Sequence, residues 1–126
     1  MNILGKIVLK KSNKLLLATL CALCYTNTYA GFVNGNQIAS YIVEYEKANR
    51  KDPSTNYQFA ERVVWYIFGV ADVLDNNSVI CLPDKVSSNQ ILEVVIKYLK
   101  DHPERWNEPA EKIIGTPLIH YFPCKK

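Results

Sequence analysis

The chain has 126 residues, with 15 Lys+Arg against 12 Asp+Glu and a formal charge of +3. This length supports one compact domain with a modest core, and a composition of 48% hydrophobic and 21% charged residues excludes a disordered or low-complexity chain. The positive excess lies entirely in residues 1–30, which hold Lys6, Lys10, Lys11 and Lys14 and no acid. Removing those four leaves 11 basic against 12 acidic residues, so the remainder sits near −1 and a polyanion partner loses its support.

Lys6 to Lys14 form a positive n-region, followed by the apolar run Leu15–Cys24 and by Thr28-Tyr29-Ala30, with small residues at −3 and −1. This is the layout of a cleaved secretory signal peptide over residues 1–30, leaving a single exported domain over residues 31–126. An apolar run of about ten residues is shorter than the roughly 20 needed to span a bilayer, so no stable membrane anchor is expected after cleavage. Leu20 and Leu23 precede Cys21 and Cys24, where a lipid-attachment box requires a small residue.

Export changes how the cysteines read. Cys21 and Cys24 leave with the signal, and Cys81 and Cys124 remain. In an oxidising compartment one disulfide between them is the simplest reading. The alternatives are a Cys nucleophile or a metal ligand, but each cysteine is isolated rather than part of a C-x-x-C pair.

Four helices are predicted. The first runs from Asn36 to about Ala48, with Ile38, Ile42 and Tyr45 on one face. The second, Tyr57–Asp75, has Phe59, Val63, Tyr66, Ile67, Val70 and Leu74 along one side. Ala60, Val64, Phe68 and Ala71 make its other side apolar as well, which marks it as central. Gly69 is expected to admit a neighbouring helix closely. Asp75–Ser78 should end this helix, and Val79–Pro83 should form a short extended segment. Ser87 with Gln90 fits a capping box for a third helix carrying Ile91, Leu92, Val95, Tyr98 and Leu99. A fourth begins at Asn107-Glu108-Pro109, and Pro117 should kink or split it. The fold class is all-α, a small bundle of about four helices with one disulfide.

Groups that could carry chemistry are few. His102 and His120 lack metal-ligand spacing, no P-loop or G-x-S-x-G element is present, and Glu44/Glu46 and Glu108/Glu111 read as solvated carboxylates. No catalytic residue, metal or cofactor is expected, and the chain reads as a binding protein rather than an enzyme. The stretch Asp101-His102-Pro103-Glu104-Arg105-Trp106-Asn107-Glu108 joins Trp and Arg, which are enriched at interface hot spots, to flanking acids. Asp101, His102, Glu104, Arg105, Trp106, Asn107 and Glu108 are therefore the candidate binding residues. Trp106 has a second reading, as a plug closing the core beneath the loop.

Several pieces occur in a fixed order: Tyr66-Ile67-Phe68-Gly69-Val70-Ala71-Asp72, Ile80-Cys81-Leu82-Pro83, Gln90 with Val94-Val95 and Tyr98-Leu99, His102-Pro103-Glu104, Pro109-Ala110, and Phe122-Pro123-Cys124. This ordered set resembles the Rap/Tai family of type VI secretion immunity proteins over most of residues 57–124. The resemblance implies a small helical fold similar to the HdeA-type acid-stress chaperones and a periplasmic location. It also implies a partner, a cognate amidase effector that cuts peptidoglycan crosslinks and whose active site is occluded, in some members by a homodimer. Cys81 and Cys124 match the family's cysteines. The second cysteine pair of many members is missing here, since the corresponding region reads Arg62-Val63-Val64-Trp65. The competing reading is a periplasmic HdeA-like chaperone or another envelope stress protein.

Overall fold

The computed structural model describes residues 33–125. The expected signal peptide, with Cys21 and Cys24, lies outside the described residues. Four α-helices follow in order: α1 (Gly35–Asn49), α2 (Tyr57–Asn76), α3 (Ser88–Asp101) and α4 (Ala110–Tyr121), with a 3₁₀ turn over Pro103–Arg105. Among the described residues there is no strand, only an isolated antiparallel bridge between Asn34 and Pro109. The all-α bundle is as expected, and the first two helices lie within one residue of their predicted limits.

The helix starts are written in their caps. Asn34 accepts from the Gln37 amide while the Gln37 side chain returns to the Asn34 amide, and Ser87 and Gln90 form the same reciprocal box on α3. The ends of α1 and α2 share a different device. Lys51 and Ser78 both take a positive φ of 56°. The Lys51 and Asp52 amides donate back to the carbonyls of Ala48 and Lys47, and those of Ser78 and Val79 to Asp75 and Leu74. These are Schellman closures, a geometry usually given to glycine, here held by a lysine and a serine.

Ile38, Ile42, Val63, Ile67, Ile80, Val95, Leu99, Ile113, Ile114 and Leu118 form the core. Both predicted apolar sides of α2 are buried or half-buried, which makes it the central helix. Two expectations need correction. Of the kink or split expected at Pro117, the split does not occur: α4 runs unbroken from Ala110 to Tyr121. The Pro117 ring is fully buried in the core, and that burial offsets the hydrogen bond lost at the Ile113 carbonyl. Gly69 admits no neighbouring helix. It is exposed, and a Cβ built there meets nothing within 4 Å.

Val79 and Ile80 form bends, and Cys81–Pro83 continue without regular structure. Ile80 plugs the core, fully buried, and the Cys81 amide donates to the Phe122 carbonyl at 2.9 Å. Cys81 and Cys124 are joined in a disulfide with Cα atoms 4.8 Å apart. The bond therefore closes the α2–α3 connection onto the tail of α4.

Candidate functional site

The candidate segment Asp101–Glu108 links α3 to α4, and its side chains divide into two sets. Arg105, Trp106 and Glu108 turn back onto the domain. The Arg105 guanidinium forks onto Glu108, Nε to Oε1 at 2.7 Å and Nη2 to Oε2 at 2.8 Å, and its Nη1 reaches the Tyr98 hydroxyl. Hydrogen bonding from Arg105 pulls the Glu108 carboxyl down to about 2, with Lys112 adding its charge. The Arg105 guanidinium is held correspondingly more firmly in its charged form, first of all by Glu108.

Trp106 is half-buried and packs against the core. Its indole Nε1–H donates to the Leu99 carbonyl at 2.8 Å, in the last turn of α3, where that carbonyl also accepts from the His102 amide at 3.4 Å. Its backbone matters as much as its ring. The Asn36 amide donates to the Trp106 carbonyl at 2.8 Å and the Gly35 amide to the Glu108 carbonyl at 3.0 Å, so the N-terminus of α1 docks directly on this loop. Gly35 is required there because a Cβ would lie 2.7 Å from the Trp106 Cα.

The second set faces water. Asp101, Glu104 and Asn107 are exposed and His102 is half-exposed. Asp101 pairs with Lys97 at 2.8 Å, and His102 Nδ1 lies 2.9 Å from Glu104 Oε1. The Asp101 carboxyl is lowered by its hydrogen bond from Lys97, and that of Glu104 by its bond with His102. The structure thus gathers the seven candidate residues into one loop: Arg105, Trp106 and Glu108 build its frame, and Asp101, His102, Glu104 and Asn107 form its outer edge.

The two histidines come together more than their spacing predicts. His102 and His120 both line a groove of about 630 Å³ between α3 and α4, with Tyr98, Pro117 and Tyr121. Among the described residues no group of three His, Cys, Asp or Glu is placed to hold a metal ion. Glu44 and Glu46 hold helices together. Glu44 takes Lys47 at 2.8 Å and the Asn56 amide at 2.7 Å, tying α1 to the start of α2, and Glu46 takes Lys100 of α3 at 2.8 Å.

One surface escaped the sequence reading. Trp65 is 71% exposed and Val73 60% exposed, with Gly69 between them at helical spacing. With Tyr66, Val70, Leu74 and Glu111 they line an apolar groove of about 550 Å³ beside α2. The signal was present in the i, i+4, i+8 spacing, but the two stronger apolar sides of the same helix masked it.

No curated protein and no solved structure matches the chain significantly. A family model described as Rap1a immunity proteins matches residues 17–124, which takes in every helix among the described residues and both cysteines of the disulfide. The ordered motifs from Tyr66 to Cys124 and the disulfide-closed helical domain agree with that match, and the chain belongs to the Rap1a family of immunity proteins, which bind and neutralise a cognate secreted effector.

Proposed function

We propose that this protein is exported to the periplasm, pairs as a homodimer, and neutralises a type VI peptidoglycan amidase effector without catalysis, by laying the α3–α4 loop over its active-site cleft. Family membership supports the immunity role. The charge and apolar pattern of residues 1–30 supports export. The observation that carries the choice of surface is the frame of the loop. Arg105 clamped by Glu108 and Tyr98, with Trp106 bonded to Leu99, holds the edge formed by Asp101, His102, Glu104 and Asn107 before any partner arrives. A preset loop loses little conformational entropy on binding, and that saving appears directly as affinity.

The test is inhibition of a purified type VI peptidoglycan amidase, sought among the products of the reading frames next to this one. Glu104→Lys with Asp101→Lys should weaken inhibition by at least about tenfold while the helical signal stays unchanged. Full inhibition by that variant would move the interface to another face. Protection of unrelated clients from acid aggregation, without amidase inhibition, would favour the HdeA-like chaperone instead.

A further inference from the structure

The exposed side of α2 has a property that the inhibitory loop lacks: it is complementary to itself. Arg62, Trp65, Gly69, Asp72 and Asn76 recur at alternating spacings of three and four, which places them on one stripe of the helix. All five are exposed, on the side opposite the buried Ala60, Val63, Ile67 and Ala71. Within the stripe a large ring stands next to a gap. Trp65 projects into solvent, and the space over Gly69 is empty to 4 Å and opens into the apolar groove formed with Val70 and Val73. A cation and an anion flank this pair. Neither Arg62 nor Asp72 takes part in an ion pair among the described residues; the Arg62 guanidinium lies over the Phe59 ring at 5.3 Å.

These four positions form two pairs centred on one level of the helix, Trp65 and Gly69 two residues either side of Ile67 and Arg62 and Asp72 five residues either side. A two-fold axis perpendicular to α2 at the level of Ile67 carries residue 65 to the level of 69, and residue 62 to the level of 72. We infer that two copies of this chain pair through antiparallel α2 helices about that axis, with Trp65 of each copy seated in the Gly69 notch of the other and Arg62 of each facing Asp72 of the other. A partner of different sequence would meet ring, notch, cation and anion with no need for their symmetric placement, whereas a two-fold contact requires a self-complementary patch. Glu61 and Asp75 fall at the outer rim of the pairing, in water, where like charges cost little. The buried part matches the anatomy of a stable interface, an apolar aromatic centre with charges at its edge.

This rests on the homodimer in the reading above and adds the face and its register. Sedimentation equilibrium of the purified protein tests both. The wild-type chain should be dimeric at micromolar concentration. Trp65→Ala and Gly69→Leu should each weaken the dimer by at least about 30-fold, as loss of a central anchor or of its socket does. Both sites are open to solvent, so thermal melts should show the variants folded. Arg62→Asp should weaken the dimer about tenfold, and adding Asp72→Arg should restore it. A wild-type chain that stays monomeric would overturn the dimer altogether. A dimer that survives Trp65→Ala and Gly69→Leu would leave the homodimer standing and overturn this face.

Discussion

Removing the Cys81–Cys124 bond is expected to be the most damaging change that leaves the core side chains untouched. The bond spans 43 residues, for which loop-closure entropy in the unfolded chain gives about 4 kcal/mol. Ordinary domains of this size hold about 5–15 kcal/mol in total. The structure indicates where the loss would be felt. Ile80 sits fully buried one residue before Cys81, and the Cys81 amide holds the Phe122 carbonyl at the end of α4. That hydrogen bond survives the substitution, so the folded geometry should persist with a looser tail. Urea melts of the oxidised protein and of Cys81→Ala/Cys124→Ala, followed by circular dichroism, would read the difference. The variant should lose about 4 kcal/mol, or about 15–30 °C in Tm. It should also show a larger m-value, because its unfolded state is no longer tied. A loss below about 1 kcal/mol would refute the entropic argument.

Other outcomes follow from single positions. Gly69→Ala should stabilise the monomer by about 1 kcal/mol in chemical denaturation, since helix propensity favours Ala and the new Cβ meets open space. Gly35→Ala should destabilise by about 1–3 kcal/mol, because its Cβ would press on the Trp106 backbone at 2.7 Å and force α1 away from the loop. Lys51→Gly should raise stability by about 1 kcal/mol, removing the cost of a left-handed conformation at φ 56° in a non-glycine residue.

The Glu108 carboxyl titrates lower in the fold, at about 2, than its ordinary value of 4.5. Its contribution is therefore present in full above about pH 4.5 and fades as pH falls toward about 2. Glu108→Gln should remove that part of the acid dependence and lower stability at neutral pH, as acid titrations of the folded signal would show.

Most of the fold was legible because its local and tertiary signals agree. The capping box at Ser87, the phase of α3 and the double-sided burial of α2 follow from residue order alone, and the two cysteines needed only an oxidising compartment to be paired. Pro117 misled because the local cost of proline in a helix is visible in sequence while the burial that offsets it is not. Gly69 misled for the opposite reason: a glycine in a helix reads as a packing contact, and only the tertiary arrangement shows that the space beside it is empty. At the candidate loop, composition singled out the segment but could not divide it. Whether Arg105 points at a partner or at Glu108 depends on how α3 hands the chain to α4. Trp106 serves the core through a bond to Leu99 that residue types alone do not reveal.

The proposed silencing of an amidase by the outer edge of the α3–α4 loop is tested most directly by peptidoglycan hydrolysis with a purified type VI amidase effector, titrated with wild-type protein and with Asp101→Lys/Glu104→Lys. With that mechanism, the wild type should inhibit stoichiometrically and the variant at least about tenfold more weakly at unchanged helical content. Undiminished hydrolysis in the presence of excess wild-type protein would contradict it.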